Sequence, residues 1–320
     1  MKTIQNRRSF IKIAAVSSAS TLFPFTRLKA TRSNSTRKFR MSLNPGSIGV
    51  RVNQEELLDA AIKYGYEAIV PFSGTLVEWS DDKVKTFTDK MKSNNITWGA
   101  SGLPVNFRID EATFSKGISE LPTHAKALEK AGVTRMSTWI MPTHASLTYL
   151  QNMELHAPRL REAVNILGDH GINFGLEYVG PKTLMSSQKF SFVHTMAECK
   201  ELIAAIGKPN VGFQLDSFHW FCAGETKDDL LTLTKDMIIT CDINDARKGF
   251  TADEQIDGKR ELPAATGVLD MKSFLEALVE IGYDGPVRAE PFNQVLNDMD
   301  NDAALEATYK AMSKAFALIN

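Results

Sequence analysis

A chain of 320 residues, 43% hydrophobic and 23% charged, has apolar mass for a large core, and it has no run of 18 or more apolar residues to make a stable membrane span. Six of its 37 basic residues and none of its 38 acidic ones fall in residues 1–30, so the body beyond them carries 31 bases against 38 acids, a net charge of −7. That balance excludes a broad nucleic-acid surface, which needs a basic patch.

Taken in chain order, Arg7-Arg8-Ser9-Phe10-Ile11-Lys12 precedes a mild apolar stretch from Ile13 to Phe25. This order resembles a twin-arginine export signal over residues 1–30, which implies a periplasmic or otherwise exported protein. The other reading is a basic tail with a chance arginine pair. Residues 31–41 read as a flexible leader, and residues 42–320 as one domain.

Ser47–Val50 reads as a first strand, followed by a helix that Asn53 caps, with Glu56 completing a capping box and Gly65 ending it. Second and third strands are expected at Tyr66–Phe72 and Ile96–Ala100, with a helix from Asp81 to Asn94 between them. A helix from Leu121 to Ala131 leads to a fourth strand at Arg135–Met141. Helices around Glu154–His170 and Val193–Ile206 flank a fifth strand at Asn173–Tyr178. The sixth strand is Val211–Leu215, the seventh Met237–Ile243 and the eighth Pro286–Ala289. Helices are expected at Lys227–Leu233, Met271–Ile281 and Ala303–Ile319.

Eight alternating strand–helix units demand parallel strands with right-handed crossovers. Eight within about 280 residues fit a single closed (β/α)8 TIM barrel, an α/β fold for which roughly 250 residues is typical. No G-x-G-x-x-G follows the first strand and no G-x-x-x-x-G-K-[ST] occurs, so an open nucleotide-binding sheet has no support. Cys199, Cys222 and Cys241 are odd in number, lack metal-type spacing and read as free buried thiols.

In a barrel the chemistry gathers where strands end. Glu177 ends the fifth strand, Asp216 the sixth, Asp242 and Asp245 lie at the end of the seventh, and Glu290 ends the eighth. Carboxylates on four adjacent strands repel unless something positive lies between them. A divalent cation on oxygen ligands is the economical answer. A purely structural network with Arg288, Arg247 or Lys182 is the other one. Trp139, Trp220, Phe72 and His144 are candidates to shape a pocket, with ordinary packing equally open for each.

Gly175-Leu176-Glu177, Leu215-Asp216-x-x-His219, Asn244-Asp245 and Ala289-Glu290-Pro291, in that order on successive strands, resemble the xylose isomerase-like barrels. These include sugar isomerases, ketose 3-epimerases, inosose dehydratase-type enzymes and endonuclease IV. The resemblance covers nearly the whole chain from about residue 42. It implies Glu177, Asp216 and Glu290 as metal ligands, with His219 touching metal or substrate. Arg247 resembles a substrate-oxygen contact, and a surface salt bridge is the alternative. Many members carry His where this chain has Asp242; an Asp there can ligate, or the site can be weakened. Oxygen-only ligation by Glu177, Asp216, Asp242 and Glu290 favours Mn²⁺ or Mg²⁺ over Zn²⁺.

The function this implies is metal-dependent isomerisation or epimerisation of a carbohydrate or polyol ketone. Glu177 and Glu290 would exchange a proton next to the carbonyl, and Trp139, His219 and Arg247 would bind the substrate. A keto-sugar lyase or dehydratase on the same site is an alternative, as is a non-catalytic sugar-binding protein with a degenerate metal site. The expected partner is a small carbohydrate rather than nucleic acid, and a homo-oligomer is compatible with this reading.

Overall fold

A computed structural model describes residues 37–319, so the residues read as a twin-arginine signal lie outside the described part. Eleven strands are present among the described residues: β1 Arg40–Leu43, β2 Ala68–Ile69, β3 Thr97–Trp98, β4 Ser101–Gly102, β5 Arg135–Trp139, β6 Thr143–His144, β7 Asn173–Glu177, β8 Phe190–Ser191, β9 Val211–Asp216, β10 Ile238–Ile243 and β11 Pro286–Ala289. Nine form one parallel sheet in the order β3-β2-β1-β11-β10-β9-β7-β5-β4, and β6 pairs with β8 in a small antiparallel ribbon.

The two ends of the sheet are consecutive pieces of one strand, broken at Gly99-Ala100. β3 pairs with β2, and β4 pairs with β5. The sheet therefore closes on itself as an eight-stranded barrel with helices between the strands, as expected. Gly99 sits at a close approach in the wall, since a Cβ there would lie 2.9 Å from Ser42 Oγ.

The first strand is not Ser47–Val50. Pro45, Gly46 and Gly49 bend that stretch into a short 3-10 turn that ends with Gly49 at φ 75°. The strand is instead Arg40–Leu43, in parallel register with both β11 and β2. Its first half, Arg40 and Met41, lies in the stretch read as a leader. Arg37 pairs with Glu67 at 2.8 Å and stacks on Phe316, which ties this basic segment to the barrel.

The helix expected from Leu121 begins ten residues earlier, at Glu111, where Asp110 accepts from Thr113 N–H, and it runs through Pro122. Pro122 looks like a first-turn residue, but burial of Phe114 on the added turns outweighs the hydrogen bond that the proline forfeits. The Asn53–Glu56 capping box and the left-handed Gly65 end the first helix as expected. Met271–Ile281 and Pro286–Ala289 form the expected helix and strand. Cys199, Cys222 and Cys241 are free and buried.

Candidate active site

Register brings the acids together. Asp242 on β10 lies opposite Asp216 on β9 and opposite Arg288 on β11, and Trp139 on β5 lies opposite Glu177 on β7. Side chains of residues in parallel register share a face, so all of these project at the same end of the barrel. Gly212 clears the interior below them, because a Cβ there would approach Met237 O to 2.3 Å.

Glu177, Asp216, Asp242 and Glu290 each offer a carboxylate oxygen, and these four atoms lie within 4.8 Å of one another. Glu177, Asp216 and Asp242 are buried, and the Glu290 side chain keeps 12% exposure. Glu177, Asp216 and His219 form a second grouping on the same criterion.

Two arginines enter this cluster. Arg288 donates from Nε to Asp242 Oδ1 and from Nη2 to Oδ2 at 3.0 Å, and Gln214 Nε2 donates to the same Oδ2 at 2.8 Å. Both Asp242 oxygens are thus engaged by the protein. Arg260 donates from Nη1 to Asp216 Oδ2 at 2.9 Å and to Glu290 Oε2 at 3.3 Å. Its Nη2 donates to Asp257 at 2.7 Å and to His219 Nε2 at 3.3 Å. The guanidinium is sandwiched between the Phe218 and Phe292 rings. The sequence reading missed Arg260, which lies 17 residues beyond β10 in an irregular loop where no periodicity marks it.

Asp216 also caps the short helix Ser217–Cys222, its Oδ1 accepting from Phe218 N–H at 2.6 Å and His219 N–H at 3.3 Å. That cap fixes His219. Because Arg260 donates to Nε2, the imidazole is the neutral Nδ1–H tautomer, and burial pushes its pKa down to about 4.

With Asp257, which shares Arg260, five carboxylates against two guanidiniums leave the cluster three charges negative if all are ionised. Burial, then Glu290, Asp216 and Asp242, push the Glu177 carboxyl well above the carboxylate range, against the pull of Arg260. Burial and then Asp242 raise Glu290 to about 8, against Arg260 and Arg288. Burial also raises Asp242, although Arg288 opposes it. Glu177 Oε1 is buried and has no hydrogen-bond partner. A buried carboxylate oxygen without a donor, beside uncompensated negative charge, fits a hard divalent cation on oxygen ligands.

The other candidates are placed differently. Asp245 has no part in the cluster: its oxygens accept from the backbone N–H groups of Ala246, Thr266, Gly267 and Leu269, and it organises that loop. Trp139 stands at the rim, 44% exposed, with the Arg108 guanidinium 4.2 Å from its ring centre. Arg247 makes no contact with the acids; it stacks on Phe250 at 4.1 Å and forms no ion pair among the described residues. Trp220 is core, packed on Phe274 with its indole N–H on Thr226 O. Phe72 packs against the core, and His144 Nδ1 accepts from the Ser146 and Leu147 N–H groups.

Comparison with known proteins agrees with this architecture. An inosose isomerase from Bacillus velezensis is 26% identical over 274 residues, covering 82% of this chain and 94% of that one. The structure of a xylose isomerase domain protein from Alicyclobacillus acidocaldarius superposes with a TM-score of 0.77 at 29% identity, covering 88% of this chain and 99% of that one. The IOLI protein with a bound zinc atom superposes at TM-score 0.72 and 22% identity, with 88% and 99% covered. Residues 58–315 match the family model described as xylose isomerase-like TIM barrel. The chain belongs to the xylose isomerase-like TIM barrel family.

Proposed function

We propose that this protein is a divalent-metal-dependent sugar isomerase or epimerase that moves a proton on the carbon next to a carbonyl. The observation that carries the reading is the cluster of Glu177, Asp216, Asp242 and Glu290 within 4.8 Å, with Glu177 Oε1 buried and unpartnered. Similarity to an inosose isomerase over 94% of that protein's length supports the isomerase class.

Glu177, Asp216 and Glu290 would hold the cation, with Asp242 beside them. When bound, it would act as a Lewis acid on neighbouring carbonyl and hydroxyl oxygens. The all-oxygen donor set favours Mn²⁺ or Mg²⁺. Glu177 and Glu290 come from β7 and from the end of β11, with β9 and β10 between them in the sheet, so the two carboxyls would approach a substrate from different strands. Their raised proton affinity suits one to take a proton and the other to return it. Arg260 would hold Asp216 and Glu290 in place, and His219 Nε2 would in turn accept from Arg260. Trp139 offers a ring at the rim for the apolar C–H face of a sugar.

The test is a panel of aldoses, ketoses and keto-polyols incubated with the protein and Mn²⁺ or Mg²⁺ in deuterated water and followed by NMR. Deuterium entering one carbon of an isobaric product supports the reading. Loss of water or of an aglycone would mark elimination instead. Full exchange by the Glu177→Gln and Glu290→Gln variants would overturn the assignment. We also propose that residues 1–30 direct export; retention in the cytoplasm of an Arg7→Lys/Arg8→Lys chain is the expected result, and unchanged export would refute it.

A further inference from the structure

One carboxylate of the cluster comes from no strand. Asp257 stands on a tight turn, Ile256-Asp257-Gly258-Lys259, closed by Lys259 N–H on Ile256 O at 3.0 Å. The turn is tied on both flanks. Before it, the fully buried Gln255 donates to Arg247 O at 3.0 Å and to Phe250 O at 3.2 Å. After it, Glu261 and Asp245 exchange backbone hydrogen bonds of 2.8 and 2.9 Å. Thr183 Oγ1, in the segment that follows β7, donates to Gln255 O at 2.6 Å. A loop that leaves β10 and is held by the segment after β7 passes over the end of β9, which lies between those strands and carries Asp216.

The turn therefore sets its carboxylate beside the acids. Asp257 Oδ1 accepts from Arg260 Nη2 at 2.7 Å and lies 3.8 Å from His219 Nε2, which is itself 3.7 Å from Glu177 Oε1. Asp257 also reaches solvent: its side chain is 28% exposed, against 12% for Glu290 and 6% for Glu177. A carboxylate that meets buried groups of the site on one side and water on the other stands at the entrance.

Arg260 has other acceptors besides that carboxylate. Its Nε donates to the Asp257 carbonyl at 2.9 Å, and its Nη1 to Asp216 and Glu290. Asp257 Oδ2 accepts no hydrogen bond among the described residues, while the Arg260 bond to Oδ1 fixes the orientation of the group. A salt-bridged carboxylate is an acceptor only, so the partner that suits Oδ2 is a donor arriving from solvent. A sugar brings hydroxyls.

We propose that Asp257 is a specificity residue: its Oδ2 accepts a hydrogen bond from a substrate hydroxyl remote from the carbonyl on which Glu177 and Glu290 act. The inference rests on the sugar-isomerase reading and adds to it a substrate contact outside the proposed metal-ligand set. A bond to an ionised acceptor is about twice as strong as a neutral one, and an analogue without the hydroxyl leaves the carboxylate unpaired. The contact lies away from the reacting carbon, so it holds substrate and transition state alike. Its loss raises KM more than it lowers kcat.

The test uses the full chain with Mn²⁺, calorimetric binding of D-fructose and D-psicose, and the 5-deoxy and 6-deoxy analogue of each. Wild type is expected to bind at least one analogue about tenfold or more weakly than its parent. In Asp257→Ala that ratio should fall to about twofold or less, with the loss borne by the parent sugar. Asp257→Asn keeps an acceptor for Arg260; it should lower the ratio about threefold and leave Mn²⁺ affinity and the unfolding midpoint unchanged. A ratio that survives both substitutions overturns the proposal, as does a fall in Mn²⁺ affinity or unfolding midpoint with the ratio intact, which would make Asp257 a support for Arg260 only. An Asp257-dependent ratio without deuterium exchange would remove the isomerase reading and leave the contact standing. Exchange with a ratio that ignores Asp257 would do the reverse, and no binding of either ketose overturns both.

Discussion

Asp242 and Arg288 face each other in register on neighbouring strands, and the Asp242 carboxylate accepts from both Nε and Nη2 of that guanidinium. Where many relatives were expected to carry a histidine, this chain carries one half of a buried ion pair. Removing only one partner leaves an uncompensated charge in the barrel interior. Asp242→Asn is expected to cost about 3–5 kcal/mol of folding stability, and Asp242→Asn/Arg288→Met to recover most of it. Urea unfolding of the three proteins checks this; equal stability of the single and double variants would show that the pair is not coupled.

Glu177→Gln and Glu290→Gln are expected to lower proton exchange by about 10²–10⁴-fold, the usual contribution of general acid–base catalysis. Neither should lower the unfolding midpoint of metal-free protein, because a neutral amide escapes the burial penalty, and the repulsion from neighbouring carboxylates, that raise both groups. Solvent-deuterium uptake and thermal unfolding on the same samples separate the two effects.

Glu290 holds its proton to about pH 8 in the metal-free cluster. A cation must displace that proton, so Mn²⁺ affinity should climb as pH rises from 6 and level off above 8. The stability of metal-free protein has the opposite sign. The unfolded chain releases the Glu290 proton near the ordinary carboxylate value and the folded chain only near 8. This group's contribution therefore falls with rising pH across that window. Calorimetric titration with Mn²⁺ at pH 6, 7, 8 and 9 is the measurement, and a flat profile would contradict it.

His219 should remain neutral until about pH 4. Its imidazole resonances are then expected to stay unshifted from pH 7.5 to 5, whereas those of His194, raised by its bond to Glu198, should titrate at higher pH than those of His219. For stability, a histidine that resists protonation in the fold costs nothing above its ordinary value. It destabilises progressively as pH falls from there toward 4, because the unfolded chain takes up the proton first.

The acids were legible because carboxylates at the ends of apolar β-like runs are rare and positional: Glu177, Asp216, Asp242 and Glu290 could be placed by counting strands. Asp245 shows the limit of that logic, since a loop rich in unsatisfied backbone N–H groups recruits an acid for itself. Arg260 was hidden because its partners are distant in sequence, and an arginine in an aperiodic loop looks the same whether it meets solvent or a buried carboxylate. β1 was hidden by charge: Arg37, Lys38 and Arg40 look like a solvated leader until Glu67 and Phe316 are seen to receive Arg37.

The strands are unequal around the barrel. β2, β3 and β4 have two residues each, whereas β5, β7, β9 and β10 have five or six. Every carboxylate of the site hangs from the long-stranded side or from β11 next to it. Amide exchange should divide the barrel accordingly, with protection deepest along β7, β9 and β10 and shallowest across the Gly99-Ala100 seam. The reacting groups then sit on the part of the wall that opens last, and the seam is where the barrel can breathe without disturbing them.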